Sequence, residues 1–292
     1  MESQFEDIRP YGIKELPDVL HRALREPQCE AVIKKFLPNV NIAEIEQQGL
    51  SVRTISDFQR LFILPVLRQL LQIKNAKLSH EGLEHVRFPA LFISNHRDII
   101  IDPAFLNFCL LDSNYNTTEI AVGNNLLVAE WVSILMRINK SFIVKRGLSS
   151  GEQLKAIKQL SAYIRYALLD KQESIWIAQR EGRAKDASDL TQESVIKMLS
   201  LSGTGGLPDN LKELNIYPVS ISYEYDPCDF LKVRELMQRR NNPQFRKTPE
   251  DDVLSMQTGV LGYTGRIHYA FTPALNPNLD VIAAATPDRK EQ

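Results

Sequence analysis

Phe92-Ile93-Ser94-Asn95-His96-Arg97-Asp98-Ile99-Ile100-Ile101-Asp102-Pro103 runs from an apolar segment into Asn-His-Arg-Asp, then through three isoleucines to a second aspartate and a proline. Residues 90–93 read as a strand and 103–111 as a helix. The polar tetrad therefore falls where a strand ends and a helix begins. A histidine and a carboxylate at such a junction supply what a general base with an orienting partner needs.

Outward from this stretch, short apolar runs alternate with helical ones. Strands are expected at 119–122, ending at Gly123, and at 141–144, 174–178, 216–223 and 266–271. Helices are expected at 126–138, 150–169, 191–201 and 230–240. The helix at 150–169 places Leu154, Ile157, Ile164 and Leu168 on one face. This alternation predicts an α/β domain over 86–292, with a mostly parallel central sheet flanked by helices. In such sheets, sites lie at the carboxyl ends of strands. Asn95-His96, Lys145-Arg146 and Gln179-Arg180-Glu181 each follow a strand, so three polar clusters fall on one sheet edge.

Residues 1–85 read as an N-terminal helical region. Leu20 and Leu24 sit four apart, and the apolar pattern continues through 31–36. Asn39-Val40-Asn41 offers a cap for a helix from Ile42, closed by Gly49. A longer helix is expected over 51–73. Its second half carries ten apolar residues, among them Phe58, Leu61, Leu64, Leu67 and Leu70. That half either packs on the main domain, the favoured reading, or lies in a membrane interface. The tail from 277 is expected to be loosely held.

With 292 residues, 43% hydrophobic and 24% charged, the chain is long and apolar enough for one large core plus an extension. A net charge of −1 exerts no global pull on nucleic acid, so any basic site is local. Cys29, Cys109 and Cys228 lie far apart without CxxC spacing, which argues against a disulfide framework or a zinc site. The five histidines lack HExxH spacing. The acidic opening has no apolar core, so no signal peptide is expected, and no apolar run approaches a membrane span of ~20 residues.

His96 with Asp98 or Asp102 is the first candidate site. A carboxylate on Nδ1 fixes the tautomer and stabilises the imidazolium. The bland alternative has Asp98 capping the helix and Asp102 on its surface. Lys145-Arg146-Gly147 is the second candidate, suited to a phosphate or equally to a solvated strand end. The third is Gln179-Arg180-Glu181-Gly182-Arg183-Ala184-Lys185. There a glutamate orders arginines and a glycine permits close backbone approach. The glycine-rich loop 202–206 lacks the P-loop lysine, and there is no GxSxG elbow.

In this order the clusters resemble the glycerol-3-phosphate and 1-acylglycerol-3-phosphate O-acyltransferase superfamily, over about residues 86–275. Asn95-His96-Arg97 through Asp102 looks like its NHxxxxD block, with one residue more between histidine and aspartate. The second block is matched from Gly123-Asn124-Asn125 to Phe142-Ile143-Val144-Lys145-Arg146, the third by Glu181-Gly182-Arg183. Tyr217-Pro218-Val219-Ser220-Ile221-Ser222-Tyr223-Glu224 is similar to the fourth and leans toward the glycerol-3-phosphate members.

The resemblance implies transfer of a fatty acyl group from acyl-CoA or acyl-carrier protein to a hydroxyl of glycerol 3-phosphate, a lysophospholipid or a related precursor. His96 would be the general base and Asp102, or else Asp98, its partner. Lys145, Arg146 and Arg183 would bind an anionic headgroup, with Glu181 and Gly182 shaping that cluster. Arg97 or a backbone N–H at the helix start would receive the oxyanion. The fourth block would line the acyl or acceptor pocket. No cofactor beyond the acyl donor is implied. A cytoplasmic, peripheral membrane location follows from the lipid products, with 58–73 and 105–108 as apolar surface. The alternatives are a non-catalytic acyl-chain or lipid-binding protein of the same fold, and a hydrolase using the same base.

Overall fold

The computed structural model describes residues 2–36, 40–186 and 188–285. Part of the expected 39–41 cap and the last residues of the tail lie outside them. Asn41 itself caps its helix by accepting from the Ala43 N–H at 3.0 Å.

The N-terminal helices are α1 (Leu16–Leu24), α2 (Pro27–Phe36), α3 (Ile42–Ser51) and α4 (Ile55–Phe58). A π-helical turn (Gln59–Ile63) then leads into α5 (Leu64–Ile73). Gly49 does not close α3. It lies inside the helix against α1, where an added Cβ would come within 2.4 Å of Leu20. The expected single helix over 51–73 starts late, at Ile55, because Thr54 and Asp57 form a capping box there.

The apolar half of that segment is largely spent in the core. Phe58 packs with α1, α3 and α7 (Glu130–Ile138), while Leu67 and Leu70 pack under the sheet. Leu61 and Ile73 are left exposed. The other expected membrane surface fares similarly: Phe105, Leu106 and Asn107 are buried in α6 (Ile101–Asp112). That helix is apolar on nearly every side because protein surrounds it.

The strands are β1 (Lys77–Glu81), β2 (Leu91–Ser94), β3 (Glu119–Gly123), β4 (Ser141–Val144), β5 (Ile175–Ala178), β6 (Ile216–Tyr223) and β7 (Arg266–Phe271). They form one seven-stranded sheet in the order β1-β7-β6-β2-β5-β3-β4. The five strands from β6 to β4 are parallel, and β7 runs antiparallel to β6 with β1 parallel to β7. β1 corrects the expectation that 1–85 is helical throughout. Its Lys-Leu-Ser-His-Glu sequence is a mostly exposed edge without apolar alternation, so it carried no strand signal.

β2 is central and buried on both faces, as parallel strands are. Phe92 faces a core shared with α6, Trp176, Tyr217, Tyr269 and Phe271. Leu91 and Ile93 face the opposite core, under α8 (Ser150–Leu169), α9 (Glu193–Ser200) and α10 (Leu207–Lys212). Each such aliphatic or aromatic side chain contributes roughly 1.5–3 kcal/mol by burial. Phe5 and Ile8 join this second core, and the Ile143 N–H donates to the Ile8 carbonyl at 2.8 Å along the free edge of β4.

Between β6 and β7 runs a helical hairpin, α11 (Asp229–Asn241) and α12 (Pro249–Leu261). After β7 comes α13 (Asn276–Ala285), so the expected loose tail is helical as far as Ala285. The Lys74 ammonium, buried at the end of α5, donates to the carbonyls of Gly259 at 2.7 Å and Val260 at 3.3 Å, and to Gly262, closing the last turn of α12. Burial pulls that ammonium down to about 8.

Candidate active site

The site begins where β2 stops. Asn95 carries on the sheet with its side chain. Its amide donates to the Ile221 carbonyl at 2.9 Å and accepts from the Ile221 N–H at 2.8 Å. This bond pair extends the β2–β6 ladder past Ser94↔Val219 while the main chain turns away. His96 thus leaves the sheet at a fixed point. Its carbonyl accepts from the Ala184 N–H at 3.0 Å, and its ring meets the Trp176 ring edge-on at 5.7 Å.

His96 Nδ1 lies 2.8 Å from Asp102 Oδ2. An ionised carboxylate only accepts, so Nδ1 carries the proton and Nε2 holds the basic lone pair. Asp102 is fully buried, and the same Oδ2 accepts from the backbone N–H of Arg97 at 2.6 Å and of Asp98 at 3.0 Å. Oδ1 accepts from the Tyr223 hydroxyl at 2.6 Å. The extra residue between histidine and aspartate is absorbed by the loop, since α6 starts only at Ile101. Asp102 is therefore the carboxylate on His96 and not a surface residue.

Asp98 takes the capping role. Its Oδ1 accepts from the Ile100 N–H at 2.9 Å and the Ile101 N–H at 2.8 Å. Burial, and then the neighbouring Asp102 charge, raises its carboxyl above the usual range. α12 presses on it so closely that a Cβ on Gly259 would sit 1.9 Å from Asp98 Oδ2. Only glycine fits there.

His96 opens onto a cleft of about 470 Å³ that Lys145, Arg146, Glu181, Gly182 and Arg183 also line. The three strand-end clusters do converge. Arg146 lies 3.6 Å from Glu181, which is largely exposed. Gly182 adopts a left-handed φ of 69° immediately before Arg183. Arg183 is buried, and its Nη1 has no partner among the described residues. Lys145 is turned aside, to Asp7 and to Gln159 Oε1 at 3.1 Å. Arg97 is outside this set. Its guanidinium pairs with Asp189 and its N–H is occupied by Asp102, so neither is left for an oxyanion.

Two parts of the cleft were not foreseen. Arg239 and Lys247 add cations to its rim from the helical hairpin, which sequence alone did not tie to this edge. The other is an apolar recess. β3 and β5 pair only at Glu119↔Ile175 and Ile120↔Trp176, then part. The gap lets Ile120 and Val122 line the cleft with Ile164, Ile177, Val195 and Met198 from the opposite core.

The fourth block does something other than expected. No residue of β6 lines the cleft. Its last residue, Tyr223, holds Asp102 from behind. Burial, followed by the Asp102 charge, keeps the phenol well above its ordinary value, so it stays a donor. Tyr223→Phe removes one hydrogen bond to a buried carboxylate, a loss of about 1–3 kcal/mol. Turnover should drop by about tenfold with KM for the acceptor held. A large rise in KM with kcat intact would show Tyr223 acting on binding instead.

The acyltransferase family model matches residues 77–222, half of the chain. The chain belongs to the acyltransferase family, as the resemblance led one to expect at that level. Acyl transfer is its class of reaction. Among solved structures it is similar to a 1-acyl-sn-glycerophosphate (LPA) acyltransferase, PlsC, from Thermotoga maritima. The TM-score is 0.48 and the identity 11%, over 96% of this chain and 98% of that one. No curated protein matches the chain.

Proposed function

We propose that the chain moves a fatty acyl group from acyl-CoA or acyl-carrier protein to a hydroxyl of glycerol 3-phosphate, a lysophospholipid or a related lipid precursor, with His96 as general base. The observation that carries this is the 2.8 Å His96–Asp102 contact at the mouth of a cleft that is cationic at one end and apolar at the other. An alcohol ionises far above neutral pH, so a placed base contributes roughly 10²–10⁴-fold. His96 Nε2 takes the hydroxyl proton as the oxygen attacks the thioester carbonyl. The tetrahedral intermediate then collapses, the carbon–sulfur bond breaks, and the thiolate takes the proton back from His96. Asp102 stabilises the imidazolium between these steps.

Arg183, whose buried Nη1 has no partner among the described residues, and Arg146, which lines the same cleft, suit a phosphate on the acceptor. The apolar recess suits the acyl chain. No cofactor beyond the acyl donor enters this scheme. The enzyme works as a peripheral protein on the cytoplasmic face of a membrane. Among the described residues, no helix is long and apolar enough to cross one.

The test is purified protein with acyl-CoA and with acyl-carrier protein against a panel of hydroxyl acceptors, read by thiol release and product mass. Acceptor-dependent thiol release, with a product heavier by one acyl group, is expected. Thioester binding without thiol release would make the chain a binding protein. Free fatty acid formed regardless of acceptor would make it a hydrolase.

A further inference from the structure

The segments expected to face lipid are largely buried, yet one helix presents an apolar face to solvent. On α11, Phe230, Val233 and Met237 are 59%, 53% and 58% exposed. Their i, i+3, i+7 spacing puts them in one stripe. Leu236 is exposed beside them. Arg234 and Arg240 flank the stripe, are exposed, and have no acidic partner among the described residues. The acids of α11 are placed otherwise. Glu235 is turned inward to Lys185 and Arg239, and Asp229 accepts from the Phe230 N–H in the first turn. At the root of the hairpin, the rings of Tyr225 and Tyr263 pair at 5.6 Å, both more than half exposed.

The geometry points to this outer face of α11 as a docking surface for an anionic lipid bilayer. An apolar stripe edged by arginines is the composition of a helix that lies in the membrane interface, and tyrosines suit the headgroup level. A second copy of the chain is a poor occupant, because two such faces would set arginine against arginine. The position also fits. The opposite side of the same helix supplies Glu235 and Arg239 to the cleft wall, so a docked α11 holds the cleft rim at the lipid surface. The inference rests on the reading that the acceptor and product are lipid-like.

The experiment is flotation of the full chain with phosphatidylcholine vesicles, with and without phosphatidylglycerol, at low and high salt. Wild type should float with the anionic vesicles, less so at high salt. The triple substitution Phe230→Ser, Val233→Ser, Met237→Ser and the pair Arg234→Glu, Arg240→Glu should each cut the bound fraction by about tenfold or more. These side chains are exposed, so circular dichroism and thiol release with soluble substrates should stay at wild-type level. Wild-type flotation by either variant, or no flotation by wild type, would overturn the inference. So would a wild-type dimer that the triple variant makes monomeric. Acyl transfer in solution without vesicle binding would sink the docking surface and leave the transferase. Vesicle binding without acyl transfer to any acceptor would do the reverse.

Discussion

His96→Ala should lower acyl-transfer turnover by at least about a hundredfold, within the roughly 10²–10⁴-fold span of a placed general base, while the protein stays folded. The fold survives because the carboxylate behind the ring keeps its other partners. Asp102 still accepts from the N–H groups of Arg97 and Asp98 and from Tyr223. No buried charge is orphaned, which is the usual source of large losses in stability. KM should change little, because the phosphate and acyl contacts proposed for the cleft lie on other residues. The measurement is kcat and KM by thiol release, beside a thermal unfolding curve. Turnover near wild type would remove His96 from the mechanism.

The second large effect separates the two aspartates. Asp102→Asn should cut turnover by about 10²–10⁴-fold, since an amide cannot both fix the His96 tautomer and stabilise its cation. It should also cost about 1–3 kcal/mol in stability. Both Asp102 oxygens face donors, so either amide orientation points an NH₂ at one of them. Asp98→Asn should be mild in both respects. Its amide oxygen can still accept from Ile100 and Ile101, and the substitution removes a carboxylate that burial already disfavours. Turnover within a few-fold of wild type is expected, from the mildness of isosteric replacement at a cap. A greater loss at Asp98 than at Asp102 would reverse the assignment.

Most of the sheet was legible because its strands are buried on both faces. Leu91 to Ile93, Ile175 to Ile177 and Ile216 to Val219 are nearly continuous apolar runs, and β2, β5 and β6 lie where those runs place them. β1 was not legible because pairing with β7 makes it a strand, and its own side chains stay mostly exposed. α12 carries a readable signal of its own. Thr248, Pro249 and Asp251 form a capped helix start, and Gly262 follows its end. At the site, the meeting of His96, Arg146 and Arg183 was foreseeable from strand ends alone. The partner of His96 was not, because it turns on where the loop stops and α6 begins. Tyr223 was hidden for a different reason. It is far away in sequence, and only the β2–β6 register brings it to Asp102.

The order β1-β7-β6 has a consequence for where the chain can be cut. The stretch matched by the family stops at residue 222, yet the strand between its first and its last comes from 266–271. A fragment ending at 222 would leave β1 without a neighbour and bare one side of β6. It would also strip Lys74 of the carbonyls that hold its charge and Asp98 of the helix that seals it. The stretch that defines the family is therefore not an autonomous folding unit here. The smallest piece that keeps the His96–Asp102 loop in shape has to reach at least from Lys74 through β7.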